Sequence, residues 1–210
     1  MAHLVYWKFS KLPSEMVDIL VRDLKQYDES LDKSTIRDDD LSSIDNKNLR
    51  NSRNCWIDSN LWIGGFIWYY IARSNRENFM YDITDIDNGT VQYTEYEKGE
   101  FYDWHCDDDI RSRMMKNKHI SSAENQGETI AILNGEYVRK LSFSIQLSDP
   151  EDYEGGELEF RCPPTADTFY APKDKGTIIT FDSRVLHRVN PVKSGIRKSL
   201  VGWIVGPRWK

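Results

Sequence analysis

Tyr96-Glu97-Lys98-Gly99-Glu100-Phe101-Tyr102-Asp103-Trp104-His105-Cys106-Asp107 is the stretch from which the rest of the chain can be read. It opens on a turn signal at residues 97–100 and runs into aromatic residues that suit a strand. Side chains two apart in a strand share a face, so His105 and Asp107 project into one space. A second imidazole, His187, arrives later in Val185-Leu186-His187-Arg188-Val189. Two imidazoles and one carboxylate form the three-point face that holds ferrous iron and leaves coordination positions open for oxygen chemistry. In a regular strand Cys106 and Asp108 point away from His105, which makes Asp107 the expected carboxylate ligand. A zinc thiolate site would need more soft donors than these. His3 and His119 stand in no comparable context and read as surface residues.

Strand and turn signals surround this stretch on both sides. Asp87-Asn88-Gly89 is a turn, and residues 91–96 are β-branched and aromatic. Residues 139–147 alternate with period two. Asp149-Pro150-Glu151-Asp152 ends that run, residues 154–160 form a turn and another strand, and Cys162-Pro163-Pro164 breaks it. Residues 176–181 read as a strand, Asp182-Ser183 as a bend leading to His187, residues 191–195 as a turn, and 197–205 as the last long strand. Many short strands and turns predict a mainly β (α+β) fold of the double-sheet jelly-roll type. A cupin is a related possibility, although cupins space their ligands differently.

The first 80 residues read differently. A short strand is expected over 4–9, then an amphipathic helix over 14–26 with Ser14 as cap, Glu15 at its positive end, and Val17, Leu20, Val21 and Leu24 on its apolar face. Residues 28–54 are polar and read as a loop with at most a short strand, Asp38-Asp39-Asp40 being a solvated acidic turn. A second helix is expected over 60–75, capped by Asp58 or Ser59. Residues 110–137 do not fit a core and read as a loop insertion or lid, whose Arg111, Arg113, Lys116 and Lys118 could attract an acidic substrate. One domain over 1–210 is the expectation: helical support over 1–80 and a β core over 81–210.

Composition narrows the function classes. A chain of 210 residues with 39% hydrophobic and 30% charged residues is globular and long enough for one sizeable core. A net charge of -6 argues against a general nucleic-acid binder, which needs a basic surface. The three cysteines, Cys55, Cys106 and Cys162, are odd in number and widely spaced, so neither a disulfide framework nor a zinc ribbon is indicated. The opening residues lack the apolar core of a signal peptide, and the most apolar run, residues 61–72, is too short to span a bilayer. A soluble, cytoplasmic protein in a reducing setting, with no membrane partner, is the expectation.

Four segments in order, residues 96–107, 139–160, 176–189 and 191–203, carry a resemblance to the iron(II)- and 2-oxoglutarate-dependent dioxygenases of the prolyl 4-hydroxylase type, spanning residues 91–209. The resemblance implies a double-stranded β-helix with the N-terminal helices packed outside its larger sheet. It implies iron(II) held by His105, Asp107 and His187. It places Arg197, ten residues after His187, on the distal carboxylate of 2-oxoglutarate, where collagen-type members use lysine and other branches arginine. A guanidinium fork suits that task, and alternation sets Ser199, Val201 and Trp203 on the same inward face. Tyr96 matches a tyrosine that bonds the cosubstrate, Ser142 matches a threonine on the facing strand, Gln146 stands where some relatives have tyrosine, and Trp203 walls the pocket. The implied reaction consumes O2, decarboxylates 2-oxoglutarate to succinate and CO2, and hydroxylates an unactivated C–H, with ascorbate as auxiliary reductant. A prolyl residue of a peptide or protein is the leading substrate, with a free amino acid or small metabolite open. Two other readings stand beside this one: a metal-binding jelly roll without catalysis, serving as sensor or structural module, and a zinc or manganese hydrolase, which lacks a base or nucleophile at recognisable spacing.

Overall fold

Alternation decides which way each strand faces, and in this chain it builds two sheets with a site between them. The computed structural model describes residues 7–34, 36–37, 43–44, 49–108, 137–161 and 167–209. The first strands are β1 (Trp7–Lys11), β2 (Asp32–Lys33), β3 (Ile36–Arg37), β4 (Ser43–Ile44), β5 (Arg50–Asn51) and β6 (Arg53–Asp58). Then come β7 (Asp85–Ile86), β8 (Thr90–Tyr96), β9 (Phe101–His105), β10 (Tyr137–Gln146), β11 (Tyr153–Gly155) and β12 (Leu158–Arg161). The last are β13 (Thr168–Tyr170), β14 (Thr177–Asp182), β15 (Leu186–Val189), β16 (Val192–Gly195) and β17 (Arg197–Pro207). The larger sheet runs β1-β14-β10-β17-β8-β6-β2, with β7 also on β17, and the smaller runs β13-β12-β15-β9-β5. β11 pairs with β16 and β3 with β4.

β14 shows how the sequence sorts its two faces. All six of its residues are buried. Ile178 joins the apolar layer under the helices, while Ile179 and Phe181 face the smaller sheet. Helices α1 (Ser14–Leu24) and α2 (Trp62–Ser74) press Leu20, Leu24, Ile67 and Ile71 onto Leu141, Ile145 and Leu200 of the larger sheet. Phe160, Phe181 and Val189 form the inner layer. The double-sheet architecture and the outer position of both helices follow the expectation. Ile67 is fully buried, whereas Tyr69 on the same helix is mostly exposed. Ile67→Ala should cost about 2–5 kcal/mol in urea unfolding, and Tyr69→Ala should change stability by no more than about 0.5 kcal/mol. Among the described residues no helix is long and apolar enough to cross a membrane.

Several local expectations change. Ser14 is the first helical residue of α1 and not its cap; its hydroxyl turns to Glu15. Pro13 occupies the cap, and its carbonyl accepts the amides of Met16 and Val17. α2 starts at Trp62 with Leu61 as its cap, while the Asp58 carboxylate accepts the Asn60 amide and closes a turn just before it. Gly64 is needed there, because a Cβ would lie 1.8 Å from the Ser59 carbonyl oxygen. The stretch 28–54 is not simply a loop. It holds β5 and the start of β6, which pairs with β8 from Arg53↔Glu95 to Asp58↔Thr90. Its polar residues are paired across strands: Arg53 binds Glu95 and Glu97, and Asn54 donates to Ser34. β1, β2 and β6 thus place the first 80 residues inside the larger sheet and not only on its helical cover. Residues 192–195, expected as a turn, form β16. β1 starts at Trp7; residues 4–6, His3, His119, Cys162, Asp38-Asp39-Asp40 and all of the 110–137 insertion except Tyr137 lie outside the described residues.

Candidate active site

β9 and β15 run side by side with His105 opposite His187. One step on, Val189 lies opposite Tyr102 where Asp103 would stand in a regular ladder, so β9 carries a bulge. The bulge turns Tyr102 inward: its ring stacks on the His105 imidazole, centroids 3.5 Å apart and 12° from parallel, while Asp103 is exposed. β9 ends at His105. Asp107 therefore reaches the site from the bend beyond the strand. The amides of Asp107 and Asp108 both donate to the Ser183 carbonyl, at 2.9 and 3.0 Å, which ties this bend to the one that precedes His187.

The three side chains converge. Asp107 Oδ1 lies 3.7 Å from His105 Nε2, and Oδ2 lies 3.4 Å from His187 Nε2. One donor atom from each falls within 4.8 Å of the others. Both Nδ1 atoms face backbone carbonyls two residues back, His105 that of Asp103 at 2.7 Å and His187 that of Val185 at 2.9 Å. A carbonyl only accepts, so each Nδ1 carries its ring's proton and each Nε2 presents a lone pair to the shared space. Burial, reinforced by His187, pushes His105 down to about 3 and keeps it neutral. Burial would raise the Asp107 carboxyl, but the two imidazoles, Arg139 and the Ser142 hydroxyl outweigh it and hold the carboxyl below its usual range. Two imidazoles and one carboxylate, each with a donor atom turned to the shared space, fit a divalent ion such as iron(II).

These residues open on a cavity between the sheets. Tyr96, Arg197, Ser199, Val201 and Trp203 line it as well, so alternation along β17 sets the wall as expected. Arg197 is 3% exposed and donates to Ser199 Oγ at 3.1 Å, with its guanidinium carbon 5.5 Å from the Tyr96 ring centre. Trp203 lies under the Arg139 guanidinium, 4.0 Å from the ring centre. Two expected residues, Ser142 and Gln146, pair with Trp203 and Ser199 in the ladder but do not line this cavity. Ser142 shares a hydrogen bond of 2.9 Å with Ser183 Oγ and acts on Asp107. Gln146 donates to the Tyr153 hydroxyl at 2.7 Å, in a neighbouring cavity whose lining also includes Arg197.

Four neighbours went unread in the sequence: Arg50, Tyr102, Arg139 and Tyr153. Arg139 donates to Asp87 at 2.7 Å and to the Asp107 carbonyl at 3.4 Å. Tyr153, whose phenol burial pushes up while Arg197 pulls it down, connects Gln146 to Arg197. Strict alternation from His105 selects Asp103 and excludes Tyr102. The contrast between an aspartate and an aromatic at those two positions was the available signal for a bulge.

Residues 91–205, more than half of the chain, match the model of the 2OG-Fe(II) oxygenase superfamily. A PKHD-type hydroxylase of Parvibaculum lavamentivorans is 34% identical over 113 residues, covering 45% of this chain and 51% of that protein. One of Synechococcus sp. is 47% identical over 66 residues, covering 31% and 29%. The matched stretch thus spans about half or less of these relatives. Among solved structures, a Pseudomonas putida prolyl-4-hydroxylase superposes with a TM-score of 0.64 at 19% identity, covering 97% of this chain and 93% of that one. A prolyl hydroxylase from Trichoplax adhaerens, in complex with a hypoxia inducible factor oxygen degradation domain peptide fragment, gives 0.65 at 16% identity, covering 94% and 82%. These likenesses show the double-stranded β-helix fold. With more than half of its length under the family model, and a His-Asp-His cluster able to hold a metal between its sheets, this chain belongs to the 2OG-Fe(II) oxygenase superfamily.

Proposed function

We propose that the protein is a dioxygenase that hydroxylates an unactivated C–H, most specifically of a prolyl residue in a peptide or protein. In this reading His105, Asp107 and His187 hold iron(II), and Arg197 holds the distal carboxylate of 2-oxoglutarate. Bound together, iron(II) and 2-oxoglutarate supply the oxidant from O2, with succinate and CO2 released and the substrate C–H converted to C–OH.

The observation that carries the reading is Arg197. Its guanidinium is buried on the cavity that the three metal-binding side chains share, and among the described residues no carboxylate pairs with it. A buried cation without an anion is costly, and a planar fork beside a metal site matches a carboxylate with two hydrogen bonds. Tyr96 and Ser199 flank that fork, and Gln146 steadies it through Tyr153. Trp203 and Phe181 supply apolar wall to the cavity. The Nδ1 bonds fix both imidazoles so that their open nitrogens face one point. The prolyl part of the proposal draws on the relatives, PKHD-type hydroxylases by sequence and prolyl hydroxylases by fold.

Succinate formation is the test. The protein is incubated with iron(II), ascorbate, 2-oxoglutarate and a panel of prolyl peptides, free amino acids and small metabolites, with and without O2. Oxygen-dependent succinate that rises with a prolyl peptide supports the proposal. Tight metal binding with no turnover across the panel would mark a binding module. A narrower outcome follows from Ser142, whose hydroxyl acts on Asp107 without lining the cavity. Ser142→Ala should weaken metal binding roughly tenfold, the scale of a lost outer-shell partner, and leave the 2-oxoglutarate requirement of the metal-saturated protein unchanged. Metal titration followed by 2-oxoglutarate titration reads both.

A further inference from the structure

We propose that Arg50 recognises a carboxylate on the molecule that is oxidised; this rests on the oxygenase reading above and adds a substrate class to it. Among the described residues two arginines line the cavity, Arg197 and Arg50. Arg50 is 7% exposed. Its Nε donates to Ser52 Oγ at 2.9 Å and its Nη2 to Gln92 Oε1 at 2.8 Å, and its guanidinium carbon lies 4.8 Å from the Tyr102 ring centre. All three partners are neutral. Among the described residues no carboxylate pairs with Arg50, whereas Arg139 just outside the cavity lining has Asp87. A buried guanidinium held by neutral groups keeps its charge for something that enters.

The cosubstrate cannot be that ligand as well. Arg197 lies opposite Tyr96 in the ladder, and Gln92, which holds Arg50, lies opposite Val201. Those rungs are four residues apart on β17, ~13 Å at the usual strand rise. A five-carbon diacid with one carboxylate on Arg197 and the other at the metal leaves Arg50 to a second molecule. Arg50 is also well placed for the reaction. The Tyr102 ring touches both groups, stacking on the His105 imidazole and lying under the Arg50 guanidinium. An anion gripped there sets a neighbouring carbon beside the metal-binding side chains. The substrate class that fits carries a carboxylate a few bonds from the oxidised carbon. It is either a free imino or amino acid, or a peptide with an acidic residue next to its target.

A purely structural Arg50, tying β5 to β8, predicts something different, and matched acids and amides separate the two. The protein is loaded with Mn(II) and N-oxalylglycine, and binding is measured by calorimetry for L-proline against L-prolinamide and for acetyl-Pro-Glu-amide against acetyl-Pro-Gln-amide. We expect the acid of at least one pair to bind roughly tenfold or more tightly than its amide, the scale of a charge-assisted hydrogen bond. The pair that shows the preference identifies a free acid or an acidic peptide. Arg50→Gln should bring that acid down to its amide, leave Mn(II) and N-oxalylglycine affinity unchanged, and Arg50→Lys should restore part of the preference. No acid preference in either pair, or an equal loss for acid and amide in Arg50→Gln, overturns the proposal while the oxygenase reading stands. Failure of the unsubstituted protein to bind Mn(II) and N-oxalylglycine overturns both.

Discussion

Asp107→Ala should reduce 2-oxoglutarate turnover to background and weaken metal binding by more than the roughly 10–100-fold that loss of an outer-shell partner costs. Its carboxylate is the only negative charge of the cluster, with one oxygen toward each imidazole. Without it a divalent ion would face two neutral nitrogens, and nothing would offset the cost of taking that ion from water into a buried site. The fold should survive, because the backbone amides of Asp107 and Asp108, not the carboxylate, hold the bend to Ser183. Circular dichroism and calorimetric metal titration of the same sample separate loss of the site from loss of the fold. Undiminished metal affinity in a folded Asp107→Ala protein would place the ion elsewhere.

Arg197→Ala should raise the 2-oxoglutarate requirement by roughly two orders of magnitude, or about 3 kcal/mol, the scale of truncating one side of a buried hydrogen-bonded charge pair. The iron requirement should barely move, because Arg197 sits among Ser199, Tyr96 and Tyr153 and not among the metal-binding side chains. Arg197→Lys should recover part of the affinity, since the charge returns without the fork. Equal effects on iron and 2-oxoglutarate would make Arg197 a structural residue.

What could be read in advance, and what could not, has a physical pattern. His187 and Arg197 were legible because β15 and β17 are regular, so spacing along the chain maps onto spacing in space. The convergence of His105 and Asp107 was anticipated for a reason the structure replaces. Alternation assumed a strand through Asp107, whereas β9 ends at His105 and two amide bonds to Ser183 deliver the carboxylate. Tyr102 was missed because a single extra residue in β9 reverses the phase that alternation depends on. Arg50 was missed for a different reason. It belongs to a two-residue strand inside a Ser-, Asn- and Asp-rich run, too short to show any period, and its partner β9 lies some fifty residues on. The same run concealed β6, whose backbone pairs with β8 and whose Arg53 finds Glu95 there. Polar composition was read as solvent exposure where it meant cross-strand pairing.

The most direct measurement is a crystal structure of the protein with Mn(II) and 2-oxoglutarate, the metal located by its anomalous scattering. The account predicts one ion bound by the Nε2 atoms of His105 and His187 and a carboxylate oxygen of Asp107, with the distal carboxylate of 2-oxoglutarate on Arg197. An ion outside those three donors, or a 2-oxoglutarate whose distal carboxylate rests on any other cation, would contradict it.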